Sequence, residues 1–102
     1  MNITLTESMY YILLSLSKPN HGYGIMQMVE EMTKGRVALG PGTLYGALSG
    51  LQEKKWIMMY SQEDESRKKK EYLITEEGKE ILANEISRLE ELLENGKKVT
   101  GK

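Results

Sequence analysis

Apolar residues recur at spacings of three and four along four separate stretches of the chain. This spacing matches the period of an α-helix and predicts four helices, each with a buried stripe. Thr6 can cap the first helix, Asn20 or His21 can start the second, Pro41 suits the first turn of the third, and Thr75 can cap the fourth. In chain order the stripes are Met9, Ile12, Leu13 and Leu16; Ile25, Met28, Val29 and Met32; Leu44, Leu48 and Leu51; and Leu82, Ile86, Leu89 and Leu93.

The first and last helices carry more apolar surface than one core face requires. Tyr10, Tyr11 and Leu14 lie on the other side of the first helix from its stripe, so we expect this helix to be buried on two faces. The stripe of the last helix advances by four, three and four residues, which is a short heptad seam. Both helices are therefore candidates for contact with a partner. Gly96 is expected to end the last helix, which then spans 76–97 and leaves 98–102 as a frayed tail.

The pattern changes to alternation between the third and fourth predicted helices. WIMMY at 56–60 and KKEYLI at 69–74 alternate in facing, and the polar stretch QEDESRK between them is typical of a turn. This predicts a two-stranded β-hairpin with a charged tip. A further short strand is predicted at 36–39, after Gly35 ends the second helix.

Length and composition exclude several classes of protein. A chain of 102 residues is long enough for one domain and too short for an enzyme with separate cofactor and substrate lobes. The absence of cysteine excludes disulfides, thiolate zinc sites and cysteine nucleophiles. The single histidine, His21, cannot form a metal cluster, and we expect it to make a hydrogen bond at a helix start. The chain lacks an apolar run of 18 residues and a signal peptide, so we expect a cytoplasmic protein without enzymatic activity, metal or cofactor.

Charge is distributed unevenly along the chain. The formal net charge is only −1. Residues 34–70 carry eight bases and four acids, whereas 1–33 carry one base and three acids and 71–102 carry five bases and eight acids. The middle of the chain is therefore basic and its ends are acidic. A local basic patch is what phosphate binding requires, because counterion release depends on the charges near the contact.

The segment GPGTLYGALSGLQ at 40–52 admits two interpretations. Gly40, Gly42 and Gly46 have the spacing of a nucleotide-binding loop, but such a loop follows a buried strand and belongs to a parallel sheet, which this sequence lacks. We therefore interpret the segment as a helix in which Gly42 and Gly46 allow close backbone approach. Thr43 could simply cap this helix, or it could face outward off the leucine stripe with Tyr45, Ser49 and Gln52.

Three helices followed by a hairpin predict a mainly α (α+β) winged helix-turn-helix domain over 1–75, with the last helix completing the same single domain. In this fold the third helix enters the DNA major groove. Four consecutive cations, Arg67, Lys68, Lys69 and Lys70, lie on one hairpin strand. Such a run can be a solvated edge that resists aggregation, but beside a helix-turn-helix it favours phosphate contact.

Three segments together, HGYGI at 21–25, GTLYGALSGL at 42–51 and SRKKKEYLITEEG at 66–78, resemble the PadR family of transcriptional regulators. The resemblance covers about residues 7–80 and is closest to the compact subfamily with a short C-terminal helix. It implies a dimeric winged-helix repressor that binds double-stranded DNA, with the first and last helices forming the dimer.

The chain departs from the family pattern in its third helix. Members usually have proline at 46, a base at 50, glutamate at 52 and glycine at 55, where this chain has Gly46, Gly50, Gln52 and Lys55. Lys54 and Lys55 are expected to replace part of the missing charge one turn later. The predicted DNA contacts are Tyr23, Gly42, Thr43, Tyr45, Ser49, Lys54, Lys55, Arg67, Lys68, Lys69 and Lys70.

The predicted homodimer interface consists of apolar residues on the first and last helices. The seven methionines either fill the core or form an adaptable pocket at the dimer interface for a small hydrophobic effector. The alternative function is a winged-helix protein-interaction module that has lost specific DNA binding, which the net charge and Gly50 favour. The predicted interface residues are Met9, Tyr10, Leu14, Leu82, Ile86, Leu89 and Leu93.

Overall fold

A computed structural model describes residues 4–62 and 70–101 of the chain. Within these residues the chain forms four helices and three strands, in an order that matches the predicted winged helix-turn-helix. The elements are α1 (Glu7–Ser15), β1 (Asn20–His21), α2 (Gly22–Met32), α3 (Pro41–Glu53), β2 (Ile57–Gln62), β3 (Lys70–Ile74) and α4 (Glu76–Thr100).

Short polar side chains fix where three of the helices begin. Thr6 Oγ1 accepts a hydrogen bond from the Met9 amide at 3.1 Å, and Thr75 Oγ1 accepts one from the Gly78 amide at 3.0 Å. His21 caps α2 through Nδ1, which accepts from the Gly24 amide at 3.1 Å. These three predictions are confirmed, because each side chain satisfies a first-turn amide that has no partner within its helix.

The third helix begins without a side-chain cap. Gly40 is its N-cap residue and Pro41 its first helical residue, as the sequence predicts for Pro41. The interpretation of Thr43 as the cap is wrong, because Thr43 lies in the first turn of α3.

The wing is part of a three-stranded antiparallel sheet in the order β1-β3-β2. Ile57 pairs with Ile74 and Met59 with Tyr72, so the predicted hairpin is confirmed. The third strand is β1, whose Asn20 pairs with Tyr72 of β3. The strand predicted at 36–39 is wrong, because that segment consists of bends and coil and the edge of the sheet is taken by β1.

The leucine and isoleucine stripes of α1, α2 and α3 meet in one core. Ile12, Leu13, Ile25 and Leu44 are fully buried, and Trp56 of the α3–β2 connection closes the core on the side of the wing. Further core residues are Leu5, Leu16, Val29, Leu48, Leu51, Ile57, Tyr72 and Ile74.

The predicted stripe of α2 is wrong at two of its four positions. Met28 and Met32 are 38% and 40% exposed. The buried face of α2 continues instead from Val29 to Thr33, the C-cap residue. Thr33 can be buried because its hydroxyl donates a hydrogen bond to the Val29 carbonyl at 2.9 Å.

The last helix is longer than the sequence predicts, since it continues through Gly96 to Thr100. A helix commonly ends where a residue adopts the left-handed conformation. That residue is Gly101, with φ of 77°, and its amide donates to the carbonyl of Lys97 at 2.8 Å. The predicted helix end at Gly96 and the frayed tail from residue 98 therefore differ from the structure.

Candidate nucleic-acid interface

The helix α3 has a buried face and an open face. Leu44, Leu48 and Leu51 are buried against the core. On the other side nothing lies within 4 Å of the position that a Cβ would take at Gly42 or Gly46. The open face is therefore thin, and it allows another molecule to approach the helix backbone closely. The predicted contact residues on the exposed side of α3 are Gly42, Thr43, Tyr45 and Ser49.

Tyr45 is 51% exposed, but its ring does not simply extend into solvent. A Cβ at Gly22, the first residue of α2, would lie 2.8 Å from Cζ of Tyr45 and nearer still to the hydroxyl oxygen. Tyr45 also acts electrostatically on Tyr72 of β3, whose pKa is raised mainly by burial and secondarily by this neighbour. The ring of Tyr45 therefore lies where α2, α3 and β3 come together.

The contact between Tyr45 and Gly22 brings the start of α2 beside α3. Tyr23, the second residue of α2, is exposed at this junction. The start of a helix carries partial positive charge and free amides, which favour anions. The structure therefore brings Tyr23 to the same end of the helix-turn-helix as Tyr45.

Two exposed lysines follow the last turn of α3. Lys54 Nζ lies 5.4 Å from the ring centroid of the buried Trp56, so a cation–π contact with the indole orients this side chain. Lys55 has φ of 66°, a left-handed conformation in which most residues other than glycine are strained. The Lys55 amide donates to the carbonyl of Gln52 at 3.0 Å, and the Lys55 carbonyl accepts from Thr75 Oγ1 at 2.7 Å. Both backbone groups are thus held, and the left-handed conformation is fixed.

The wing presents one described member of the predicted cation run. Lys70 is exposed at the start of β3, where it pairs with Gln62 of β2. Arg67, Lys68 and Lys69 lie outside the described residues.

The predicted dimer residues fall into two groups. Met9, Tyr10, Leu14 and Leu82 are half-buried within the chain. The other three, Ile86, Leu89 and Leu93, are exposed, and Leu93 reaches 58%. Every residue of α4 from 89 onward is exposed. The second half of α4 therefore carries apolar side chains that no part of the described chain covers.

A buried carboxylate that the sequence analysis missed joins α4 to the start of the chain. Glu85 is 3% exposed and accepts hydrogen bonds from Arg88, at 2.8 Å from Nε and 2.7 Å from Nη2. The bonds from Arg88 lower the pKa of Glu85, burial opposes this, and the Leu5 backbone amide lowers it further. The spacing of three residues signals the ion pair in the sequence. No local pattern signals its burial, because Glu85 lies beside the distant start of the chain, at Leu5.

A cleft of about 320 Å³ lies beside this ion pair, between α1 and α4. Tyr10 and Tyr11 line it with rings 5.6 Å apart in an edge-to-face arrangement. Its other lining residues are Leu5, Thr6, Glu7, Glu85, Arg88 and Leu89. A second missed ion pair, between Glu7 and Arg36, tethers the start of α1 to the segment after α2. The cleft thus combines aromatic surface with charged groups.

The described residues offer neither a metal-binding cluster nor a membrane span. No group of three or more histidine, aspartate or glutamate side chains within 4–62 and 70–101 could hold a metal ion. In the same ranges, no helix combines the length and apolar character needed to cross a membrane.

Comparison with known proteins identifies relatives by sequence and by structure. The chain is 34% identical over 74 residues to an uncharacterized 37.1 kDa protein in transposon TN4556 of Streptomyces fradiae, which covers 72% of this chain and 20% of that protein. It is 31% identical over 71 residues to the transcriptional regulator YqjI of Escherichia coli K12, covering 70% of this chain and 33% of YqjI. The chain thus spans about a fifth to a third of the length of these curated relatives.

A solved structure resembles nearly the whole chain. The PadR family transcription regulator from Clostridium difficile R20291 superposes with a TM-score of 0.70 and 28% identity, over 95% of this chain and 100% of that one. The profile of the transcriptional regulator PadR-like family matches residues 11–84. These residues contain most of α1, all of α2, α3 and the wing strands, and the beginning of α4. The chain belongs to the PadR-like family of transcriptional regulators.

Proposed function

We propose that this protein is a homodimeric repressor in the cytoplasm that binds double-stranded DNA and responds to a small hydrophobic effector. The observation that carries the proposal is the open face of α3, which two exposed lysines follow directly. A major groove about 12 Å wide admits one α-helix, and its walls are lined with phosphates. A thin helix face with cations at its end suits both features.

The base contacts are assigned to the first three turns of α3. Thr43 and Ser49 offer hydroxyl groups that can donate to or accept from base edges, and Gly42 and Gly46 let the helix backbone approach them. These residues carry the sequence discrimination in this proposal.

The phosphate contacts are assigned to groups around α3. Lys54 and Lys55 follow its last turn, and Tyr23 lies at the start of α2, where the helix dipole favours an anion. On the wing, Lys70 extends the cationic surface. From the sequence alone, Arg67, Lys68 and Lys69 are assigned to phosphate contact as well. Contacts of this kind position the protein on the duplex without reading its sequence.

A second copy of the chain is the proposed partner for the exposed half of α4. The seam of Ile86, Leu89 and Leu93 has heptad spacing, and two such seams pack well against each other. Met9, Tyr10, Leu14 and Leu82 extend the apolar surface towards α1. Dimerisation matters for binding because two copies of α3 must lie about 34 Å apart to reach successive major grooves.

The effector is assigned to the cleft between α1 and α4. Tyr10 and Tyr11 provide flat surface for an apolar ligand of matching size, and Arg88 provides a polar group. A ligand between these two helices would shift the surfaces that form the dimer. It would thereby change the distance between the two copies of α3 and the affinity for DNA.

Fluorescence anisotropy tests this function directly. A labelled duplex from the region upstream of the gene for this protein is titrated at two salt concentrations and compared with a duplex of shuffled sequence. We expect tighter binding to the upstream duplex, with affinity that falls steeply as salt increases. Equal or absent binding to both duplexes at both salt concentrations would contradict the proposal. That result would favour a protein-interaction module, a function consistent with the net charge of −1 and with Gly50.

A further inference from the structure

The contact between Tyr45 and Gly22 joins two segments that lie far apart in the sequence. Gly22 is buried at the start of α2, and Tyr45 is in the second turn of α3. A Cβ at Gly22 would lie 2.8 Å from Cζ and 3.2 Å from Cε1 of the tyrosine ring. Carbon atoms do not approach that closely without repulsion, since their optimal separation is about 3.5–4.0 Å. Only glycine therefore allows the ring to rest in this position.

We call the contact between Tyr45 and Gly22 the joint. Strand β3 lies beside the start of α2, on which the joint depends. Tyr72 is buried in β3 and lies opposite Asn20, two residues before Gly22. Asn20 is itself fixed, because its Oδ1 accepts from the His21 amide at 2.9 Å and its Nδ2 donates to the Ser15 carbonyl at 3.4 Å. The start of α2 is thus anchored to the sheet and to the end of α1. Tyr45 contacts a rigid surface, so its ring can restrain α3.

The rest of α3 provides little comparable restraint on this side. Leu44, Leu48 and Leu51 fix the depth of the helix in the core. Gly42 and Gly46 have no neighbour within 4 Å of a Cβ position, and neither does Gly50. The leucines and the half-buried Ala47 hold α3 on its core side. A contact on another side of the helix restrains its rotation about the line of the leucines. Tyr45 supplies such a contact.

We propose that Tyr45 is a positioning residue whose ring, seated on Gly22, sets the angle between α2 and α3 and so directs the open face of α3 towards base edges. This inference rests on the proposed DNA-binding function. Contacts to base edges tolerate displacements of only about 0.5 Å, whereas flexible lysines can follow a displaced phosphate. Loss of the joint therefore lowers the discrimination between DNA sequences more than it lowers the affinity for any duplex.

A double-mutant cycle of Gly22→Ala and Tyr45→Ala tests the joint without DNA. The added methyl group must displace the exposed end of the Tyr45 ring, so we expect Gly22→Ala to lower the midpoint of thermal unfolding modestly in the presence of Tyr45 and much less in the Tyr45→Ala background, where the methyl group has room. Failure of Gly22→Ala to fold, combined with folding of the double variant, has the same meaning. An equal change of the midpoint in both backgrounds would show that Tyr45 and Gly22 are not in contact and would overturn the proposal.

The same variants are then compared for binding to the upstream and the shuffled duplex. We expect Gly22→Ala and Tyr45→Ala each to reduce discrimination about tenfold, as the loss of a base contact does, and the double variant to lose no more than either single one. Gly50→Ala, at a helix glycine with open space around it, is the control and should retain discrimination. Effects that multiply in the double variant would overturn the proposal, because Gly22 and Tyr45 would then act independently of each other.

The unfolding cycle and the DNA-binding comparison together distinguish a failure of the proposed function from a failure of the positioning role of Tyr45. If the unaltered protein does not discriminate between the duplexes, the proposed function fails, and the unfolding cycle still decides whether the joint exists. If the protein discriminates and Gly22→Ala does so equally well, the positioning role of Tyr45 is overturned while the proposed function stands.

Discussion

Thr75 donates a hydrogen bond from Oγ1 to the carbonyl of Lys55 at 2.7 Å and thereby joins the start of α4 to the residues that follow α3. A second bond, from the Thr75 amide to the carbonyl of Trp56 at 2.9 Å, lies beside it. The same hydroxyl accepts from the Gly78 amide and caps α4. One threonine therefore connects the proposed dimerisation helix with the proposed DNA-binding helix.

Replacing Thr75 should lower the stability of the whole domain. Thr75→Val retains the shape of the side chain but removes both the cap and the bond to Lys55, and we expect it to lower the free energy of unfolding by about 2 kcal/mol. Thr75→Ser keeps the hydroxyl and should stay within about 0.5 kcal/mol of the unaltered protein. Urea unfolding at one fixed protein concentration measures both. Equal stability of the two variants would show that the hydroxyl contributes nothing.

The native Lys55 side chain should lower the stability of the folded chain and raise its affinity for DNA, so its replacement by glycine should have the opposite effects. Its left-handed conformation is strained for lysine, so we expect Lys55→Gly to raise the free energy of unfolding by about 1 kcal/mol. Lys55→Gln also removes the charge but retains the strain, and it should bring no such gain. If Lys55 contacts one phosphate, both variants should reduce the slope of log affinity against log salt by about 0.9. An unchanged slope would remove Lys55 from the interface.

The buried ion pair of α4 should make stability depend on pH. The pKa of Glu85 is lower in the folded chain than in the unfolded one, mainly through its bonds from Arg88. Its stabilising contribution is therefore complete at neutral pH and is lost as pH falls through the folded-state pKa.

Glu85→Gln tests this pH dependence. We expect a lower free energy of unfolding at pH 7, because Arg88 loses its charged partner, and a flatter decline of stability towards acid. Glu90→Gln on the exposed part of α4 is the control and should change neither quantity. Parallel pH profiles for Glu85→Gln and the unaltered protein would contradict the assignment.

The exposed seam of α4 should be required for dimerisation. Leu93→Glu introduces a charge into the proposed contact, and we expect it to convert a dimer into a monomer in sedimentation experiments at micromolar concentration. Asn84→Glu introduces the same charge on the opposite side of the helix and should leave the dimer intact. A monomeric unaltered protein would end the dimer proposal. A dimeric Leu93→Glu variant would move the interface away from this seam.

Local sequence patterns predict the elements of this fold well. The spacing of Leu44, Leu48 and Leu51 gives the buried face of α3, and the hydroxyls of Thr6 and Thr75 mark the starts of α1 and α4. Each of these signals depends on residues a few positions apart. The strand β1 has only two residues and forms by pairing with β3, about fifty positions away, so no periodicity reveals it.

In the candidate site, too, some features follow from local sequence and others from distant contacts. Helical geometry alone predicts that Ser49 faces outward, and Ser49 is exposed in the structure. The position of the Tyr45 ring cannot be predicted in this way, because it depends on the absence of a side chain at Gly22. Glu85 is likewise buried beside the start of the chain, where the backbone amide of Leu5 helps to lower the pKa of its carboxyl group. Contacts between distant segments decide these features, and a single sequence contains no local signal for them.

Hydroxyl-radical footprinting on the upstream DNA tests the central claim most directly, namely that two copies of α3 bind successive major grooves. We expect two protected patches on one face of the duplex, with centres about 10 base pairs apart and related by an inverted repeat. Leu93→Glu should abolish this paired pattern at the same protein concentration. A single patch, or no protection of the upstream DNA, would contradict the claim.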